Sequence, residues 1–275
     1  MYLDFDNINT KHNINAKYRK TISRAYEALG KNNVALICHG VSFPSLNSEN
    51  TGYGSANTNG AENFMKFSNG LFNAIQLGPQ GLTKMSLASP YSGTSFSQNI
   101  LTVDLKSLTG NKWHHLLSEH TFKNIVKNNP SKYTSKASYK YAFRAYNNAF
   151  DEIYHNFKNL NNKELKQEFE NYKEENKFWL EADSLYEALT VEHGNDNWIY
   201  WGGKNAKIDK RLFDGSLDEV TVSKRINEIK DKYEDEIERY KLIQFIASKQ
   251  AHETKEIAAK NGIKMIADRQ VGFSD

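Results

Sequence analysis

Val34-Ala35-Leu36-Ile37-Cys38 is an unbroken apolar run that gives way at once to the polar turn His39-Gly40-Val41-Ser42-Phe43-Pro44. A short run without alternation fits a strand covered on both faces, the pattern of a parallel sheet. Two further stretches, apolar but interrupted by single polar residues, also read as short strands: Phe72-Asn73-Ala74-Ile75-Gln76-Leu77 before Gly78-Pro79, and Ile263-Lys264-Met265-Ile266-Ala267-Asp268. Parallel strands must be joined by long crossovers, usually helical. Helical spacing is indeed found between them. Glu62 to Leu71 sets Phe64, Phe67 and Leu71 on one stripe, and Ile237 to Ala259 runs into the stop Asn261-Gly262. Ahead of the first run, Ala16 to Leu29 places Tyr18, Ile22, Tyr26 and Leu29 on one face. About half the chain, between the second and third runs, is rich in Lys, Glu, Asn and Tyr and helical in pattern. Within it, Phe178 to Leu189 points Trp179, Leu185 and Leu189 inward.

Strands that end in polar residues and alternate with helices predict an α/β fold, an incomplete (β/α)8 TIM barrel of about three strands with a large helical insertion. The expected divisions are a helical lead-in over 1–33 and the first part of the barrel over 34–110. An inserted helical subdomain follows over 111–235, then a helix and the third strand over 236–275. Three strands cannot close an eight-strand barrel, so the reading places the end of this chain before the remaining strands.

The balance of charge narrows the function. Lys and Arg total 36 against 33 Asp and Glu, a net +3, with no block of like charges. Nucleic acid, anionic membrane and polyanionic substrates are therefore not expected as partners. One cysteine, Cys38, excludes an internal disulfide and a thiolate zinc cage, and reads as a buried apolar residue. His114, His115 and His120 lack companions at ligand spacing and read as a solvated face, so no metal and no cofactor is expected. Gly52-Tyr53-Gly54 has no Lys-Ser/Thr partner for a phosphate loop and reads as a flexible turn within a long loop over 45–60. Without a basic leader or a long apolar span, the expected location is cytoplasmic.

What remains is a neutral, hydroxyl-rich stretch: Ala88-Ser89-Pro90-Tyr91-Ser92-Gly93-Thr94-Ser95-Phe96-Ser97-Gln98-Asn99. Leu36 through Pro44, then Ile75-Gln76-Leu77-Gly78-Pro79, then Ser89-Pro90-Tyr91 with Ser95 to Asn99 and Val103-Asp104-Leu105, resemble in order and spacing the amino-terminal part of the 4-alpha-glucanotransferases. These are the amylomaltases or disproportionating enzymes of glycoside hydrolase family 77. Phe178-Trp179-Leu180-Glu181, Trp198 with Trp201, and Gln250 through Asp268 continue the resemblance over 34–275. It implies a (β/α)8 barrel with helical insertions that transfers α-1,4-glucan segments between maltooligosaccharides by a retaining route. That route needs two carboxyl groups about 5–5.5 Å apart.

In the family the catalytic carboxylates come from strands after the third, so no residue of 1–275 is assigned a catalytic role, and the chain is expected to be an inactive amino-terminal portion. The alternative is a non-catalytic relative that binds α-glucans. The resemblance implies sugar binding by Tyr91, whose ring would lie against a glucose, by the Ser89 hydroxyl, and by Asp268 at the third strand's end. His39, at the end of the first strand, is a further candidate for a substrate hydroxyl. The sequence departs from the family at Gln270, where a proline is usual, at Gly272-Phe273, where an aromatic and a valine are usual, and in a slightly shorter segment from Ser92 to Asn99.

Overall fold

The three apolar runs become three parallel strands, β1 (Ala35–Cys38), β2 (Ala74–Leu77) and β3 (Lys264–Ile266), in the order β1-β2-β3 in this computed structural model. The structure describes residues 14–92, 95–132, 134 and 136–268. Gln270, Gly272, Phe273 and the lead-in before residue 14 lie outside the described residues. Cys38 lies opposite Leu77, and Gln76 opposite Ile266. Asn73 pins the N-terminal end of the sheet: its amide N–H donates to Val34 O (3.1 Å), its Oδ1 accepts from Val34 N (3.0 Å) and its carbonyl accepts from Lys264 N (2.8 Å).

The helices are α1 (Ile14–Leu29), α2 (Asn59–Ser68), α3 (Glu119–Lys127), α4 (Tyr139–Asn159), α5 (Lys163–Glu175), α6 (Lys177–His193), α7 (Ala206–Asp209), α8 (Glu219–Lys232) and α9 (Glu234–Lys260). No helix among the described residues is long and apolar enough to cross a membrane. Thr58 caps α2 by accepting from Ala61 N (3.3 Å), satisfying one of the amides a helix start leaves open. α2 then buries Ala61 and Met65 against Ile75 of β2, with Ala258 of α9 and Ile263 in the same cluster. Phe64 packs beside them only half-buried, so the expected stripe is shifted round the helix toward Met65. On α1, Tyr18 and Leu29 are exposed, and the helix is held instead through the Tyr26 hydroxyl, which donates to Leu71 O (2.7 Å).

β1 corrects the expectation of a strand covered on both faces. Cys38, Ile75, Leu77 and Met265 face the α2–α9 cluster, while Ile37 is 66% and Ile266 42% exposed on the other side. Side chains alternate across a strand, and among the described residues helices cover one face only. Cys38 is accordingly half-buried rather than buried, its thiol pKa pushed up by that burial.

The chain divides at Asn156/Phe157 and Phe245/Ile246 into two compact units. The first contains the sheet and continues through residues 111–156. The second, Phe157–Phe245, has its own core, in which Leu185, Ala188 and Leu189 of α6 meet Trp201, Leu212 and Ile229. Trp179, Leu185 and Leu189 all point inward as their spacing predicts. Within the same unit Asp209 is fully buried between His193 (2.8 Å) and Arg225 (2.7 Å), and Trp201 stacks on the His193 ring with centroids 4.7 Å apart.

Candidate functional site

The strands of the first unit deliver their C-terminal ends to one region. His39 follows β1, Gly78 follows β2, and the register that pairs Cys38 with Leu77 sets them side by side. The fit is close: a Cβ on Gly78 would lie 2.0 Å from His39 Nδ1. Glycine is required there so that the imidazole can lie over the end of β2. A second contact nearby is less tight. A Cβ on Gly40 would meet the Gln80 carboxamide at 2.9 Å.

The serine-rich stretch is an excursion with a fixed base. An antiparallel bridge joins Gly81 and Gln98, with Leu82 N donating to Ser97 O (3.1 Å) and Asn99 N donating to Gln80 O (2.8 Å). Asn99, buried, turns its Oδ1 back to accept from Leu101 N (3.0 Å) and from the Thr83 hydroxyl (3.4 Å). The outer part hangs from α4, whose Tyr139 hydroxyl donates to Lys84 O (2.6 Å). So held, the excursion leaves Tyr91 49% and Phe96 53% exposed. Large aromatics displayed on anchored loops are candidates for binding, since burial would have been the more favourable fate of an uncommitted ring.

Two cavities adjoin at these strand ends. One, of about 430 Å³, is lined by His39, Ser89 and Tyr91 together with Tyr53, Asn99 and Tyr139. The other, of about 450 Å³, is lined by Phe96, Gln98, Asn57, Thr254 and Asp268. Pro79, Gln80 and Thr102 line both. Three of the four residues singled out in the sequence thus share one cavity, and Asp268 lines its neighbour. Among the described residues Asp268 is the one carboxylate on either wall. The rest of the linings mixes hydroxyls, amides and rings with apolar side chains such as Leu77, Met265 and Val41, the combination of apolar wall and a few polar groups usual in ligand sites.

Sequence reasoning passed over Tyr53, Tyr139, Gln80 and Asn57. Tyr53 stands across from Tyr139 with ring centroids 6.1 Å apart, and burial raises its phenol pKa. The turn that carries it is closely packed: Gly52 has φ +92°, and a Cβ on Gly54 would lie 2.3 Å from Val41 O. Asn57 is held by Thr254, whose hydroxyl donates to its Oδ1 (2.7 Å), and donates in turn to Thr102 O (2.9 Å). Of the three histidines without companions at ligand spacing, His120 lies on α3, whereas His114 and His115 do not lie on a helix. His114 and His115 both have positive φ after a single turn ending at Trp113, and the His115 ring contacts Thr109 O and Asn111 Oδ1.

Parallel strands whose C-terminal ends meet two adjoining cavities define an α/β protein with a candidate site at its strand ends. The chain belongs to the 4-alpha-glucanotransferases, glycoside hydrolase family 77, whose profile matches residues 41–275. Its fold is that of an amylomaltase: the amylomaltase from Streptococcus agalactiae in complex with acarbose superposes with a TM-score of 0.72 at 19% sequence identity, over 88% of this chain and 44% of that one. The chain therefore spans less than half the length of that relative. No curated protein matches it.

Proposed function

We propose that this chain supplies part of the sugar-binding surface of a 4-alpha-glucanotransferase, a retaining enzyme that moves α-1,4-glucan segments from one maltooligosaccharide to another. The observation that carries the reading is the family match together with Tyr91, half-exposed in a cavity at the ends of parallel strands. An open phenol ring takes the C–H face of a glucose, while hydroxyl and amide groups at its edge bond the sugar hydroxyls. Ser89 and His39 line the same cavity as Tyr91, and Asp268 accepts hydroxyls in the adjoining one. The uncovered face with Ile37 and Ile266 supports the barrel reading, because branched apolar side chains are what fill a closed barrel's interior.

In the reaction a carboxylate attacks the anomeric carbon as an acid protonates the departing glycosidic oxygen. The 4-hydroxyl of a second chain then displaces the carboxylate and gives its proton to the former acid. No residue of 1–275 is assigned either role. The role of these residues is to hold the glucan in register, with the 275-residue chain itself performing no transfer. A non-catalytic, glucan-binding relative is the second reading.

Calorimetric titration of the chain with maltotriose tests the proposal. Saturable binding is expected, weakened about tenfold in Tyr91→Ala, since a stacked ring contributes on the order of 1–2 kcal/mol. Absence of binding, or binding indifferent to Tyr91→Ala, overturns it. Glucose released from maltotriose by the 275 residues alone would overturn the assignment of no transfer.

A further inference from the structure

The wall common to the two cavities has three residues, and two of them are committed internally. Pro79 is buried and its carbonyl accepts from Gln80 Nε2 (3.2 Å). Thr102 is buried too: its hydroxyl donates to Asn99 O (2.7 Å), and its carbonyl accepts from Ser55 Oγ (2.6 Å) and Asn57 Nδ2 (2.9 Å). Gln80 differs. Its Nε2 donates to Gly78 O (2.8 Å) as well as to Pro79 O. Two carbonyls on that side fix which end of the amide is nitrogen, since an oxygen there would face two acceptors. Oε1 is then the end left without a donor, and the whole carboxamide lies against Gly40, where a Cβ would stand 2.9 Å from Oε1 and 3.1 Å from Nε2. Among the described residues nothing donates to it.

We propose that Gln80 is a specificity-determining residue that reads the junction between two linked sugars: its Oε1 accepts a hydroxyl from a glucan spanning both cavities. This rests on the glucan-binding reading above and adds to it a preference for chain over single sugar. A neutral acceptor held rigidly by its own N–H groups selects a hydroxyl donor at one position and pays little ordering entropy on binding. Its place in the shared wall means that a single glucose, seated in one cavity beside Tyr91, does not need it, whereas a chain crossing from one cavity to the other passes over it.

The test compares maltotriose with glucose, each titrated by NMR into wild type, Gln80→Met, Gly40→Ala and Tyr91→Ala. Gln80→Met keeps the length and removes the acceptor; Gly40→Ala leaves Gln80 in place and displaces its amide. Both are expected to weaken maltotriose about two- to tenfold, the range for one lost hydrogen bond, and to leave glucose within twofold of wild type. Tyr91→Ala is expected to weaken both sugars. If Tyr91→Ala weakens both while Gln80→Met and Gly40→Ala bind maltotriose as wild type does, the Gln80 assignment is wrong and the glucan reading stands. Equal weakening of glucose and maltotriose by Gln80→Met also overturns the assignment. If wild type binds neither sugar, both readings fail together. Should Gln80→Met fail to fold by circular dichroism, Gly40→Ala decides alone.

Discussion

At the scale of single residues, the site depends on side chains placed where another residue has none. His39 Nδ1 lies 2.0 Å from where a Cβ on Gly78 would stand, so an added methyl must turn the exposed imidazole out of its position. Gly78→Ala is therefore expected to lose about 1 kcal/mol, the low end of the cost of overpacking. In a His39→Ala background the same substitution is expected to be nearly neutral, because the colliding ring is gone. Urea midpoints of the two single variants and the double variant measure the coupling; additive losses would mean that the two residues do not share that space. Tyr91, Ser89 and His39 stand out in sequence because each lies in a short motif at a strand end or loop, and the structure places all three round one cavity. Gln80 was not, although it directly follows Gly78-Pro79. Its importance comes from lying opposite Gly40, forty positions away in sequence, and periodicity carries no information about such a pairing.

Among the elements, α6 was read correctly because its apolar spacing is long and regular. The segment from 45 to 60 reads as a loop in sequence, but its last two residues open α2, and its internal anchoring is invisible there. Glu49 is buried there, Oε1 accepting from Gly60 N (2.6 Å) and Leu46 N (3.0 Å), and Oε2 from Asn59 Nδ2 (3.1 Å). A carboxylate taken out of water must be satisfied in this way, and a composition of Asn, Ser and Gly gives no hint of it. Two substitutions separate the forces that hold the segment. Thr58→Ala removes the α2 cap and is expected to lose about 1 kcal/mol. Gly54→Ala drives a methyl to 2.3 Å from Val41 O and 2.7 Å from Phe43 O. Both obstacles are backbone, so the strand-end turn itself must move, and the loss is expected to exceed that of Thr58→Ala. Thermal melting of the two variants gives the order; a Gly54→Ala protein as stable as Thr58→Ala would show that the turn yields freely.

For the molecule as a whole, the strand order and the helical middle could be anticipated from where apolar runs begin and end, while the limits of the second unit at Phe157 and Phe245 fall inside continuous helices that no composition change marks. Equally hidden was the buried Asp104, within the Val103-Asp104-Leu105 stretch. Its backbone is clasped by Gln250 of α9, which accepts from Asp104 N (2.7 Å) and donates to Asp104 O (3.2 Å). Burial, and then the charge of Glu49, push its carboxyl up to about 7, against the opposing pull of the Lys106 and Ser107 amides. The folded chain therefore keeps a proton that the unfolded chain gives up near its ordinary 3.8. Stability from this group is full below that value and falls as pH rises to about 7, at up to about 1.4 kcal/mol per unit. Glu119 behaves in the opposite sense and in a separate window: Lys106 and Thr109 hold its carboxyl at about 2, so its contribution is lost only as the solution is acidified below the usual glutamate range. Between pH 5 and 7 the slope accordingly belongs to Asp104. Asp104→Asn, which cannot titrate, is expected to flatten the dependence of the urea midpoint on pH over that interval, whatever constant offset the amide introduces. An unchanged slope in the variant would show that Asp104 is already ionised in the folded chain at pH 5.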